Sequence, residues 1–339
     1  MKILLENLKG NMTERVPVWF MRQAGRHLPE YLELRAKAPN FMDFCYNQKM
    51  AAKATLQPVN RYDIDGAILF SDILVIPQAL GQDVSFVKGE GPKLADLDIA
   101  ELKVEGAVER LAPIMDTIAN VKAGLRDGVT FLGFCGAPWT VATYMVQGKG
   151  MRDSQWARYY AYSNPEAFKT LLDIIVETSV EYLSAQIQAG VDAVQIFDSW
   201  AGALDEQGFA DYAIKPVAKM VRKLKAKHPE TPIIGFPRGG GILCKDFVEQ
   251  TKVNAISLDQ STPVAWAAKH LQSQVCIQGN LDNQRIVAGG VEMERAIDNI
   301  LSHWAAKPMV FNLNHGFTPE TPIKNVEAVI EQVHHYKRM

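Results

Sequence analysis

The chain has 339 residues, 47% hydrophobic and 22% charged, a composition that builds a large buried core and excludes a disordered polymer. Its 36 Lys and Arg face 38 Asp and Glu, and a net charge of -2 gives no whole-molecule attraction to nucleic acid or to an anionic membrane. No stretch approaches the ~18 consecutive apolar residues of a membrane span, and Cys45, Cys135, Cys244 and Cys276 form no Cys-x-x-Cys pair, which argues against a disulfide framework or a zinc knuckle.

The opening MKILLENLKG has a short apolar start broken by Glu6, Asn7 and Lys9. It fits neither a secretory nor a transit peptide, and a cytoplasmic location is expected. Short apolar runs then recur, each closed by polar or Gly-containing sequence and followed by helix-like sequence: Pro17 to Phe20, Gly66 to Phe70, Val129 to Phe134, Val191 to Phe197, Thr231 to Phe236, Ala255 to Leu258, Val275 to Ile277 and Pro308 to Leu313. Eight βα units with no G-x-G-x-x-G at the first turn fit a closed TIM barrel better than an open doubly wound sheet. We therefore expect an α/β fold with one (β/α)8 barrel over residues 1–339, preceded by a short N-terminal extension.

Between the second and third runs, Val84-Ser-Phe-Val-Lys-Gly-Glu-Gly-Pro predicts an extra hairpin turned at Gly89 and Gly91. The best-marked helix opens at Asn164-Pro165-Glu166, with Asn164 as its cap, and stops at Gly190. Leu171, Leu172, Ile175, Ser179, Tyr182, Leu183, Gln186 and Ile187 make its inward stripe. The basic run Arg222, Lys223, Lys225 and Lys227 falls at a helix end, where cations suit the dipole, and reads as solvated surface.

In a barrel the reactive groups lie just past the carboxyl ends of the strands. After the first run come Met21-Arg22-Gln23-Ala24-Gly25-Arg26; after the second, Ser71-Asp72; after the third, Cys135-Gly-Ala-Pro-Trp-Thr and then Tyr144; after the fourth, Asp198-Ser199; after the eighth, Asn314-His315-Gly316. Arg22 and Arg26 are spaced to grip carboxylates with paired hydrogen bonds, or to form surface pairs such as Arg26 with Glu30. Asp72 serves either as a helix cap or as a fixed carboxylate that stabilises a cation. His315 fits an acid/base, a ligand or a structural role, and Tyr144 fits packing with a tethered hydroxyl. Strand alternation lets only one of Asp198 and Ser199 face the pocket.

Pro17-Val-Trp-Phe-Met-Arg-Gln-Ala-Gly-Arg26 followed by Leu28-Pro-Glu-Tyr31 closely resembles the N-terminal signature of the uroporphyrinogen decarboxylases. Gly133-Phe-Cys-Gly-Ala-Pro-Trp-Thr140 with Tyr144 resembles that family's second diagnostic stretch, and Ile68-Leu-Phe-Ser-Asp-Ile-Leu74 lies between them. The resemblance implies a (β/α)8 barrel, usually a homodimer, that binds substrate through Arg22, Gln23, Ala24, Gly25, Arg26, Asp72, Tyr144, Ser199 and His315. Arg35 matches a further basic position, whereas Leu32 stands where several members carry another Arg.

It further implies a reduced tetrapyrrole as substrate, uroporphyrinogen III, whose four acetates become methyls in coproporphyrinogen III with loss of four carbon dioxide molecules. No metal and no organic cofactor are expected, because a protonated pyrrole is its own electron sink. On this reading Asp72, Arg22 and Arg26 are the catalytic residues. Two rival readings are a zinc-dependent corrinoid or thiol methyltransferase of the related superfamily and a non-catalytic tetrapyrrole binder. Against the first, Gly235-Phe-Pro-Arg-Gly-Gly-Gly241 offers neither His nor Cys, although Cys244 and Cys276 could meet in space.

Overall fold

The computed structural model describes residues 1–87, 90–150 and 154–338. Its strands are β1 (Gly66–Ile68), β2 (Val84–Val87), β3 (Gly91–Leu94), β4 (Thr130–Gly136), β5 (Ala193–Asp198), β6 (Ile233–Pro237), β7 (Ala255–Ser257), β8 (Cys276–Leu281) and β9 (Met309–Leu313). Seven of them form one curled parallel sheet in the order β1-β4-β5-β6-β7-β8-β9, as crossover helices between successive strands require. The antiparallel pair β2 and β3 is the extra hairpin, with Val87 opposite Gly91; its other expected turn residue, Gly89, lies outside the described residues.

All eight expected staves are present, but the first is a bridge and not a regular strand. Val18 pairs in parallel with Phe311 of β9, with Phe311 N donating to Pro17 O at 2.8 Å and Trp19 N to Phe311 O at 3.3 Å. On the other side Asp65 N donates to Val18 O at 2.8 Å, which joins this segment to β1 and closes the ring. Side chains replace the missing ladder. Asp65 Oδ2 accepts Val18 N at 2.9 Å, and Gln23 accepts Phe20 N at 3.1 Å through Oε1 while donating to Gly66 O at 3.0 Å through Nε2.

The barrel interior is filled from below, so ligands have access only from the carboxyl end. Trp19, Leu132, Ala193, Ile234, Ala255 and Val310 pack inside it, and the helix Ile3–Leu8 seals the amino end with Leu4 and Leu8. Above that apolar floor lies a buried polar layer: Trp19 Nε1 donates to Gln278 Oε1 at 2.9 Å, and Gln278 Nε2 reaches Gln195 Oε1 at 3.0 Å and Ser257 Oγ at 3.1 Å. The larger core lies between the outer face of the sheet and its helices, and Trp139, Phe168, Tyr182, Phe247 and Trp304 are fully buried there.

The long helix runs Pro165–Ala189 and ends at Gly190 in the left-handed region at φ 115°, as the sequence predicts. Asn164 does not cap it; its side-chain Nδ2 turns back to Tyr160 O at 3.3 Å, the last carbonyl turn of the preceding helix. The basic run on the helix Lys215–Lys227 meets an acidic ladder on this helix: Lys219 bonds Asp173 at 2.9 Å, Lys223 bonds Glu177 at 2.5 Å, and Lys227 bonds Glu181. Pairs this exposed contribute little each.

Asp65 is the most constrained charge at the seam. Arg15 donates to both of its oxygens at 2.8 and 2.7 Å, its carbonyl accepts Thr130 N at 2.8 Å, and His334 Nε2 stands 3.9 Å away. Burial by itself would raise this carboxyl, but His334, Arg15 and the Val18 N–H hold it below the usual carboxylate value. Asp65→Asn removes one partner of a mostly buried pair and should lower unfolding free energy by about 3 kcal/mol at neutral pH. A folded pKa below the unfolded ~3.9 gives stabilisation that is complete above that value and fades as pH falls through the folded pKa. Urea melts of wild type and variant should therefore differ at pH 7 and converge only in strong acid.

Candidate active site

Several of the residues singled out in the sequence lie past the carboxyl ends of the strands, at the mouth of the barrel. Past β1, Asp72 Oδ1 accepts Leu74 N at 2.8 Å, an Asx-type turn that fixes the loop, while the second oxygen takes no hydrogen bond among the described residues. The helix that follows, Val75–Ala79, takes no side-chain cap from it. Asp72 thus makes a local turn bond with one oxygen instead of capping the helix. It keeps one face open to the cleft, yet protein packs densely around the rest. Burial pushes its carboxyl up to about 6, against the opposing pull of Leu74 N–H and the Arg22 charge.

Arg22 leads the loop after the first stave with φ 57°, the left-handed region a non-glycine residue rarely adopts. That conformation lays its stem across Gly316, where an added Cβ would come within 2.3 Å of Arg22 Cδ and 2.8 Å of its Cβ. Beside Gly316, past β9, His315 has its ring centroid 6.3 Å from Phe236. Burial first, then the charges of Arg22 and Arg238, lower the His315 imidazole to about 3. It is therefore a neutral imidazole at physiological pH, suited to donate one hydrogen bond.

The stretch Gly136 to Thr140 ties two mouth loops together. Trp139 Nε1 donates to Trp200 O at 3.0 Å, Thr140 Oγ1 donates to Asp198 Oδ1 at 2.5 Å, and Trp200 N donates to Thr140 Oγ1 at 3.1 Å. Asp198 therefore faces outward to the helix Pro138–Gln147 and not the cleft, and its isolation from water raises its carboxyl to about 7. Ser199 follows, half-buried at the turn. Tyr144, on the same helix, packs edge-on against Trp200 with centroids 6.2 Å apart. Burial raises its phenol, and the Asp72 charge adds to that, which links Tyr144 to the Asp72 side of the mouth.

The charge of Arg22 thus reaches Asp72, Tyr144 and His315, which places all four around that guanidinium. Arg26 is exposed, as Arg22 is, and the pairing with Glu30 considered from spacing does not form, because Glu30 is held by Arg61 at 2.7 and 2.9 Å. Arg35 lies over the rings of Phe41 and Phe44 at 5.9 and 5.8 Å and donates to Ala38 O at 3.2 Å. The Gln23 side chain is occupied at the barrel seam. The N–H groups of Ala24, Gly25 and Arg26 have no acceptor among the described residues. Such a run of free amides is anion-seeking.

Sequence reasoning passed over Arg238, which directly follows β6 and whose charge reaches His315. The rule that found Asp72 would have found it: it is the first charged residue past an apolar run. Among the described residues no three His, Cys, Asp or Glu side chains are grouped to hold a metal ion. Cys244 lies by Gly240 above β6, whereas Cys276 opens β8 near Arg338 at the amino end, so the two thiols do not meet. A cavity of about 640 Å³ on the outer surface, between Val104–Glu109 and the helix Pro165–Ala189, is remote from all these groups.

The sequence model of the family described as uroporphyrinogen decarboxylase (URO-D) matches residues 1–336. A uroporphyrinogen decarboxylase of Sphingopyxis alaskensis is 51% identical over 334 residues, 98% of each chain. One from Brucella anthropi is 49% identical over 333 residues, 97% of each. In architecture the chain is similar to a methyltransferase from Methanosarcina mazei, with a TM-score of 0.81, 19% identity and coverage of 97% of this chain and 96% of that one. That likeness shows the fold alone.

Gly316→Ala should displace Arg22 without touching the core. Because misplacing a reacting group by ~1 Å can lower rate ~100-fold, we expect a fall of that order in kcat/KM at an unchanged melting temperature. Full activity in the variant would show that the Arg22 stem has room to move.

Proposed function

This chain belongs to the uroporphyrinogen decarboxylase family, and on that premise we propose that it converts uroporphyrinogen III to coproporphyrinogen III at the barrel mouth. The observation that carries the reading is Asp72, a carboxylate held in a crowded, cation-flanked cleft with one oxygen anchored and the other free.

Decarboxylation needs a sink for the electron pair left when carbon dioxide departs. Protonation of a pyrrole ring carbon gives an iminium cation. The acetate C–C bond then breaks, carbon dioxide leaves, and its electron pair neutralises the cation as an exocyclic methylene. Protonation of that carbon gives the methyl, and the ring carbon returns its proton. Each cycle consumes one proton and releases one carbon dioxide, with no metal or organic cofactor in the scheme.

Asp72 would accept pyrrole N–H groups and oppose the cationic charge, an effect magnified in a water-poor cleft. Arg22 would grip a carboxylate, and the free amides of Ala24, Gly25 and Arg26 would take another at the loop, with Gln23 acting by holding that loop to β1. Tyr144, Ser199 and neutral His315 would orient peripheral carboxylates. Arg26 and Arg35, farther out, would meet the propionate rim. The rival methyltransferase reading loses support because its zinc ligands have no counterpart grouping among the described residues.

We further infer a homodimer in the cytoplasm. Trp156, Tyr159 and Tyr162 stand 56, 64 and 51% exposed along the short helix Gln155–Ser163, an apolar stripe suited to a partner. The four cysteines are buried and unpaired, which suits a reducing compartment. No helix among the described residues is long and apolar enough to cross a membrane.

The decisive experiment is anaerobic incubation with enzymatically made uroporphyrinogen III, followed by chromatography for coproporphyrinogen. Asp72→Asn should reduce turnover by about 100- to 1,000-fold with folding intact, and near-normal activity would remove Asp72 from its role. For wild type, kcat/KM should fall as pH drops through about 6, where the Asp72 carboxylate takes a proton in the free enzyme. A profile flat from pH 7 to 5 would contradict that assignment.

A further inference from the structure

Arg238 has no role in the scheme above, and its surroundings are unusual for a structural arginine. It directly follows β6 and is half-buried, and its Nε is buried with no hydrogen-bond partner. No carboxylate lies within ion-pair distance of its guanidinium among the described residues, whereas Arg15 and Arg61 are each held by one. A buried guanidinium N–H without an acceptor is costly to maintain and normally finds a partner.

Its backbone, by contrast, is held on every side. Arg238 N donates to Asp198 O at 3.1 Å and to Phe236 O at 3.0 Å, Gly202 N donates to Arg238 O at 2.9 Å, and Gly239 N donates to Asp259 Oδ2. The adjoining loops touch backbone to backbone: a Cβ on Gly202 would stand 2.8 Å from Gly239 Cα, and one on Gly239, at φ +79°, would stand 2.9 Å from Gly202 Cα. Two loops are thus packed to glycine-only closeness around the residue that carries the unpartnered cation.

The ring order gives this cation its meaning. With the bridge segment as first stave, β6 is the fifth of eight, directly across the barrel from the stave that leads into Arg22. His315, past β9, lies within the field of both guanidiniums. The mouth therefore carries cations on opposite sides and neutral donors between them, an arrangement that matches a macrocycle with carboxylates around its rim.

We propose that Arg238 forms a second carboxylate subsite opposite Arg22, gripping a peripheral, non-reacting carboxylate of the tetrapyrrole. The proposal rests on the tetrapyrrole reading of the site. A partner on a non-reacting group contributes to binding of substrate and transition state alike, and its loss raises KM while leaving kcat.

Arg238→Met and Arg238→Lys should be compared with wild type in two measurements: KM and kcat for uroporphyrinogen III, and fluorescence titration with uroporphyrin, an unreactive octacarboxylate. Loss of one charge-assisted contact predicts a rise of about tenfold or more in KM and in the uroporphyrin Kd for Arg238→Met, with kcat little changed and Lys restoring part of the loss. Wild-type turnover with unaltered KM and Kd in Arg238→Met overturns the subsite and leaves the reaction standing. A fall in kcat at constant KM likewise overturns it in favour of a role at the reacting group. Weakened uroporphyrin binding without wild-type turnover would keep the subsite and overturn the reaction instead.

Discussion

The hydrogen-bonded seam at Asp65 governs the rest of the molecule. Seven strands curl into a ring that would stay open between β9 and β1 if only regular ladders counted. Asp65 fills the gap with three kinds of contact: its backbone pairs with Val18 on one side and Thr130 on the other, its carboxylate takes the Val18 N–H, and Arg15 neutralises its charge. Gln23 repeats the device one turn higher, bridging Phe20 N and Gly66 O. Because the stave ends there, the chain is released directly into the loop that carries Arg22. Closure of the barrel and placement of the first cation are one structural event.

That geometry explains which parts of the fold were legible beforehand. Apolar runs such as Val191 to Phe197 and Pro308 to Leu313 became strands because buried parallel strands need continuous apolar sequence, which composition displays directly. Pro17 to Phe20 has the same apolar character, yet it forms a bridge, since the acceptors for the Val18 and Phe20 N–H groups are the side chains of Asp65 and Gln23. Nothing in a local window shows that. Asn164 fails as a cap for a related reason: the preceding helix ends immediately before it and claims its side-chain amide.

The position of mouth residues was legible where polarity follows an apolar run, as at Asp72 and His315. It was illegible where identity depends on a distant partner. Spacing could not say that Glu30 would be taken by Arg61, leaving Arg26 without an ion pair, or that Asp198 would turn to Thr140. Arg238 sat among glycines that read as a loop, and only the packing of Gly202 against Gly239 shows how closely that loop is held against its neighbour. Gln23 lies in the most telling motif of the chain, yet its side chain serves the barrel and not the cleft.

The electrostatics of the mouth follow from one competition. Arg22 pulls the Asp72 proton affinity down and burial pushes it up, and burial prevails. The carboxylate is therefore held in an environment that solvates it poorly, with one oxygen bonded and the other exposed to whatever fills the cleft. A cation formed there meets a charge that neither water nor the protein has fully satisfied, so the interaction strengthens as positive charge develops on the substrate. The flanking cations would oppose such an intermediate if they stood alone. Occupied by substrate carboxylates, as in the proposed roles of Arg22 and Arg238, they would be neutralised, and the field at the centre would be left to Asp72. In the proposed scheme, substrate binding at the rim would thus complete the electrostatic conditions for chemistry at the middle.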